Sequence, residues 1–557
     1  MRLEIMNFTT LFSLVSLARA VPELVTPHLP DPVFNASRFE VHSLPDGPSL
    51  PRSWAGRLPV PGTAVGNSLF FWLFEAEDPV YDDNLIMWFN GGPGCSSLIG
   101  MATANGPISF VGNTTLTSNP YSWTKLGHVL YIDQPVGTGF STASEPYPVK
   151  DNARVTSDFY AWLGSFYKLF PQLLGKRTHM MGESYAGIYI PYFASKIMDN
   201  HDSLPVNLKS ISLGDGTFGN NAAMSSVAMG SYLRSQSSIL GIPDDILDAF
   251  SEADAICGFD QVMEQANTFS PKGVIHIPGN PGNLNFKRDQ SLLFRRDLEP
   301  ILNGTCNIHP VTPEQVKSSI LNSSCYGPCA TFPTAMDYMQ TAPAFGKGKA
   351  CFDVYNIKHD CGTIDADPLL ASYFSRADVQ AALNILPSSS SKRSSNKTRP
   401  FAPCNSNILS TLLTSPTQPV PPAYSILPTL TSTTGANLSL HFYQGEYDML
   451  INHFGVELCL QNMTWNGARG FSQKPSRAFF RDDAAPVSKT RPVRPRQEEE
   501  EDTCSYDADT AEEPQVAGTW ISERGLTYHL FRGAGHFVAA DKPREMFAYV
   551  RDVVVAV

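Results

Sequence analysis

Thr178-His179-Met180-Met181-Gly182-Glu183-Ser184-Tyr185-Ala186-Gly187 is the stretch from which the rest of the chain can be read. Residues 178–181 predict a short strand, and the pattern over 186–198 predicts a helix. Between them Gly182, Ala186 and Gly187 supply the small neighbours that a sharp strand-to-helix turn requires, in a G-x-S-x-A form of the nucleophile elbow. A serine at the apex of such a turn stands at the C-terminal edge of a sheet, beside a helix N-terminus. Ser184 is therefore the candidate nucleophile.

A serine hydroxyl attacks poorly until a base takes its proton, so an imidazole and an orienting carboxylate must fold beside it. Further along, apolar runs at 440–443 and 528–531 end in Gln444-Gly445-Glu446-Tyr447-Asp448 and in Gly533-Ala534-Gly535-His536. Asp448 and His536 thus stand just past two strand ends, in the chain order Ser, Asp, His that α/β-hydrolases use. Glu446 is the competing acid. Runs at 68–75, 85–89, 129–133 and 210–213, with a helical pattern at 153–170, predict a mainly parallel sheet covered by helices on both faces.

Of the 557 residues 42% are hydrophobic and 17% charged, which excludes a disordered or fibrous chain, and the net charge of −12 disfavours nucleic acid as a partner. Residues 1–20 read as a signal peptide: Arg2, an apolar stretch over 8–17, then Ala18-Arg19-Ala20 as a cleavage site. No later run is long enough to span a membrane. Sequons at Asn35, Asn113, Asn303, Asn322, Asn396, Asn437 and Asn462 agree with secretion. Ten cysteines without paired zinc-like motifs point to disulfides rather than a metal. Six of them, Cys257, Cys306, Cys325, Cys329, Cys351 and Cys361, fall within 222–373 and predict a disulfide-stapled insertion. The organisation expected is a core over 21–221 and 374–557 interrupted by that insertion. Stretches 387–400 and 488–515 read as disordered loops.

Three longer motifs carry a resemblance. Trp88-Phe89-Asn90-Gly91-Gly92-Pro93-Gly94-Cys95-Ser96-Ser97, then Asp133-Gln134-Pro135-Val136-Gly137-Thr138-Gly139-Phe140-Ser141, then 182–187, stand in the order seen in serine carboxypeptidases, and the chain resembles that family over roughly 54–550. The resemblance implies an α/β-hydrolase fold with an inserted lid, and a secreted enzyme that removes C-terminal residues from peptides, without metal or organic cofactor. Backbone N–H groups of Gly92 and Tyr185 would form the oxyanion hole, and Trp88, Asn90, Gly91 and Glu183 would hold the substrate's terminal carboxylate. It implies a Cys95–Cys404 bridge as well. Cys351 with Cys361, two bridges among Cys257, Cys306, Cys325 and Cys329, and Cys459 with Cys504 complete the expected set.

The chain also departs from the family. A second glutamate that shares a proton with the one before the nucleophile is replaced, in Ala104-Asn105-Gly106-Pro107, by Ala104. Glu183 must then act alone, with activity on free-acid peptides falling as it ionises and an acidic optimum expected. Phe537 and Val538-Ala539 also differ and suggest a reshaped pocket beside His536. Ala104 leaves room for an acyltransferase or esterase on the same scaffold, and a non-catalytic binding protein is the alternative from another class.

Overall fold

Seven apolar runs become neighbours in one sheet because each is apolar on both faces and has to be covered on both. The computed structural model describes residues 35–111, 115–278, 310–322, 326–341, 352–359, 366–386, 399–413, 423–432, 436–480 and 516–556. Within the unit Ala36–Val557 the strands are β1 (Glu40–Val41), β2 (Ser53–Pro59), β3 (Ser68–Phe74), β4 (Asn84–Phe89), β5 (Ile108–Val111), β6 (Thr115–Ser118), β7 (His128–Asp133), β8 (Arg177–Glu183), β9 (Leu208–Gly214), β10 (Ser439–Gly445), β11 (Thr464–Trp465), β12 (Ala468–Arg469), β13 (Arg477–Phe480), β14 (Val516–Glu523) and β15 (Leu526–Phe531). Eleven of them form a sheet in the order β1-β2-β3-β7-β4-β8-β9-β10-β15-β14-β13, while β5 with β6 and β11 with β12 pair separately. The six central strands, from β7 to β15 in that order, are parallel, and the outer ones antiparallel.

Alternation sends Phe70, Trp72 and Phe74 to one face and Leu69, Phe71 and Leu73 to the other, so each face has its own buried cluster. Helix α2 (Asn152–Leu169), which follows the one-turn helix α1 (Leu98–Gly100), covers the second face. Its Phe159, Trp162 and Phe166 recur at helical spacing, and Trp162 and Phe166 pack on Phe71 at centroid distances of 6.3 and 5.9 Å. Helix α3 (Ala186–Asp199) follows β8 on that side. Segments 366–386 and 538–555 supply the cluster on the opposite face.

Strands β9 and β10 are adjacent although Gly214 and Ser439 are far apart in sequence, and the described residues between them contain helices but no strand. Cys257 and Cys329 are bridged there, whereas Cys306, Cys325, Cys351 and Cys361 lie outside the described residues. Of the expected Cys459–Cys504 pair, Cys459 is buried and free among the described residues. The helix His453–Asn462 turns it inward against Gly219, where a Cβ would sit 2.3 Å from its Sγ. The signal peptide, Asn113, Asn303, Asn396 and the loops 387–398 and 488–515 fall outside the description, as does Cys504. Of the described sequon residues, Asn437 is exposed, while both amide atoms of Asn462 bond the Ile275 backbone at 2.9 and 2.8 Å.

Candidate active site

Ser184 occupies the turn between β8 and α3 with a positive φ of 62°, a conformation that costs a non-glycine residue free energy and persists only where neighbours enforce it. Its N–H donates to Gly214 O of β9 at 3.0 Å. The small residues around it are sterically required: a Cβ on Gly182 would lie 2.3 Å from Phe89 O, and one on Gly187 2.8 Å from Thr217 N. Gly91 is pressed onto the elbow itself, since a Cβ there would stand 2.5 Å from Tyr185 N and 2.8 Å from Ser184 Cβ. The Asn90–Gly94 turn and the serine are thereby in van der Waals contact.

Two networks hold that turn. Cys95 is bridged to Cys404. Asp133, at the end of β7 and wholly buried, accepts from Ser96 Oγ at 2.6 Å, Ser97 N at 3.0 Å and Phe140 N at 2.9 Å, which joins the first two sequence motifs through one carboxyl group. Burial raises its pKa to about 6 despite those three donors. Asn90 is oriented from the other side: its Oδ1 accepts from Trp88 Nε1 at 2.7 Å and from Gly100 N at 3.1 Å. The indole N–H of Trp88 is therefore spent on Asn90, leaving the Asn90 amide nitrogen as the group free to turn to a ligand.

Asp448 and His536 meet past the ends of the neighbouring strands β10 and β15, with His536 Nδ1 2.7 Å from Asp448 Oδ2 and both side chains buried. The other carboxylate oxygen, Oδ1, accepts from Ile451 N at 3.1 Å. Glu446 instead accepts from Gly533 N at 2.8 Å. Among the described residues no hydrogen bond joins Ser184 Oγ to the imidazole, a link that catalytic sites commonly tighten only when substrate arrives. Burial alone would lower the His536 pKa, but the Asp448 carboxylate outweighs it and the net direction is upward.

A family model described as serine carboxypeptidase matches residues 48–556. The chain belongs to the serine carboxypeptidase family. This serine carboxypeptidase is 47% identical over 552 residues to a carboxypeptidase Y homolog of Arthroderma benhamiae, covering 99% of this chain and 100% of the relative. A pheromone-processing carboxypeptidase of Paracoccidioides brasiliensis is 27% identical over 526 residues, 92% of this chain and 67% of that one. The crystal structure of a prohormone-processing carboxypeptidase from Saccharomyces cerevisiae matches with a TM-score of 0.63 at 22% identity, over 94% of this chain and 96% of that chain, a likeness of fold.

Glu183 is the carboxyl for which this carboxypeptidase lacks a partner glutamate. It is 2% exposed, and burial pushes its pKa up to about 8 although Tyr443 donates to its Oε1 at 3.2 Å. Ala104 is buried in the same apolar cluster as Tyr443, Val538 and Ala539, and desolvation is the largest cause of the raised Glu183 pKa. The ionisation expected from sequence at mildly acid pH therefore moves toward the alkaline side.

Four contributors carry no motif of their own. Tyr355 accepts the His536 N–H on its carbonyl oxygen at 2.7 Å, with its ring 5.1 Å from the imidazole and 5.7 Å from Phe537. Asn356 and the Gly535 N–H both bond Asp541 Oδ2, at 2.9 and 2.6 Å, which fixes the loop that carries the histidine. A carboxyl oxygen of Asp215 lies within 4.8 Å of one of Asp448. A signal for Asp215 exists in Gly214-Asp215-Gly216, a strand exit flanked by glycines like those before Asp448 and His536.

Proposed function

We propose that this protein hydrolyses the C-terminal peptide bond of peptides through Ser184, His536 and Asp448. Ser184 Oγ attacks the last carbonyl while His536 Nε2 takes its proton, and Asp448 holds the imidazole by Nδ1. The tetrahedral oxyanion is received by the N–H groups of Gly92 and Tyr185. His536 then protonates the departing amino acid, and water repeats the sequence on the acyl-enzyme. Asn90, the Gly91 N–H and protonated Glu183 bind the free carboxylate, with Trp88 orienting Asn90. No metal or organic cofactor enters any step.

The observation that carries the reading is the 2.7 Å His536–Asp448 bond at the ends of strands in the same parallel array as the serine elbow. A neutral Glu183, kept so by burial, favours a peptidase over an esterase or acyltransferase, because a protonated carboxyl has its use in donating a hydrogen bond to a substrate carboxylate. The described segment 352–359 borders the site in this reading, supported by the reach of Tyr355 onto His536. The reading extends to secretion, on the strength of the signal-like residues 1–20 and the two disulfides among the described residues. Among the described residues no helix is long and apolar enough to cross a membrane.

The test compares kcat/KM for a peptide acid and for its C-terminal amide across the acid-to-alkaline range. The acid form is expected to be preferred below the Glu183 ionisation and to lose that preference above it. Equal profiles for the two substrates would remove Glu183 from carboxylate recognition.

A further inference from the structure

Asp215 stands at the exit of β9, the strand between the one that precedes Ser184 and the one that precedes Asp448, and the steps above give it no task. It is wholly buried, has a positive φ of 43°, and donates its N–H to Tyr443 O at 3.0 Å. Its Oδ1 accepts from Gln444 Nε2 at 2.5 Å and from Gly445 N at 2.9 Å. Its Oδ2, also buried, makes no hydrogen bond among the described residues. One carboxyl oxygen of Asp215, one of Asp448 and one ring nitrogen of His536 lie within 4.8 Å of one another.

Two carboxylates this close and this dry do not both ionise. Asp448 is already suited to be the anion, because His536 Nδ1 donates to one of its oxygens and Ile451 N to the other. Of the four oxygens only Asp215 Oδ2 lacks a donor among the described residues. We propose that Asp215 is a positioning residue: a carboxyl that stays protonated on Oδ2 and directs that hydrogen at Asp448, leaving Asp448 the single negative charge behind His536. Burial, with the Asp448 charge adding to it, holds the Asp215 pKa well above the usual carboxylate range. Among the described residues, the titratable groups facing the cluster are Glu183 from β8, Tyr443 from β10, Tyr528 from β15, Tyr232 from the helix Ala228–Ser235 and Asp353 from the segment beside Tyr355.

A neutral donor draws charge out of Asp448, which tempers its hold on the imidazolium and keeps His536 able to release its proton to the leaving amine. The inference rests on Ser184, His536 and Asp448 being the catalytic set. It is tested by the pH dependence with which an organophosphonate labels Ser184 in the full-length protein, in Asp215→Ala and in Asp215→Asn, the site of labelling being read by mass spectrometry.

Removing the donor in Asp215→Ala is expected to move the midpoint of the labelling profile up by about one pH unit and to slow labelling at acid pH about tenfold. Asp215→Asn places an amide N–H where the carboxyl proton stands and keeps the acceptor for Gln444 and Gly445, so it is expected to bring the midpoint back. An Asp215→Asn midpoint displaced downward would show that the native group is a charge, and would overturn the proposal. So would an Asp215→Ala protein with lower Tm and an unmoved midpoint, which is a merely structural role. The asparagine variant decides alone if the alanine protein does not fold. Wild-type protein that is never labelled at Ser184 would instead bring down the catalytic set, and this inference with it.

Discussion

In the proposed reading, where Glu183 meets the substrate carboxylate, this one buried carboxyl sets a pH dependence. With its pKa near 8 the group is neutral below that value and can donate to a substrate carboxylate, and above it becomes an anion that repels one. The expected result is that kcat/KM for peptide acids falls as pH rises through about 8, and that Glu183→Gln, which cannot ionise, loses this limb. Tyr443→Phe removes a donor that favours the ionised form, so the limb should move to higher pH, by up to about one unit. A limb that stays in place in both variants would belong to another group. None of this can be read from the sequence beyond the position of Glu183 and the absence of its partner, because burial, which is what raises the pKa, is a property of the packed fold.

At the scale of elements, the site depends on how closely two turns approach each other. Gly91→Ala would drive a methyl group into Tyr185 N, Glu183 O and Ser184 Cβ, all within 2.8 Å and all backbone or near-backbone atoms that cannot swing aside. The variant is expected to keep its fold by circular dichroism while losing about a hundredfold or more in kcat, the scale of a displaced oxyanion donor. Near wild-type kcat would show that the contact is slack.

The same closeness explains which elements were legible. Central parallel strands such as β4, β7 and β10 must be apolar on both faces, and they announce themselves as continuous runs. The outer strands β2 and β14 contain Gly56, Arg57, Gly518 and Glu523, and have no such signature. Ser184, Asp448 and His536 stand at glycine-rich strand exits that local sequence reveals. Tyr355, Asn356 and Asp541 reach the site from segments whose local sequence carries no sign of it, since only tertiary folding brings them to His536.

Across the whole molecule, buried titratable groups set a window of stability. Burial lowers the pKa of His179, His441 and His529 from 6.5 to about 3, 4 and 3, so their neutral forms favour the folded state, and stability is lost as pH falls below 6.5. Burial raises Asp133, Glu183 and Asp254 from 3.8 or 4.5 to about 6, 8 and 8, and these groups cost stability as pH rises above their unfolded values. Between those unfolded values the two sets oppose each other, each group contributing about 1.4 kcal/mol per pH unit in its own window. A Tm profile is therefore expected to peak between about pH 4.5 and 6.5 and to fall on both sides. Replacing His441 with Asn should flatten the acid side, whereas a Tm maximum on the alkaline side of neutrality would contradict this balance.

In the proposed mechanism, a serine at the end of β8 becomes a nucleophile that releases residues from one end of a peptide. It is tested most directly by mass spectrometry of an unblocked peptide after incubation with the protein and with Ser184→Ala. Successive loss of residues from the C-terminal end is expected with the native protein, and an intact peptide with the variant. Shortening from the N-terminal end, internal cleavage, or C-terminal trimming that survives Ser184→Ala would contradict it.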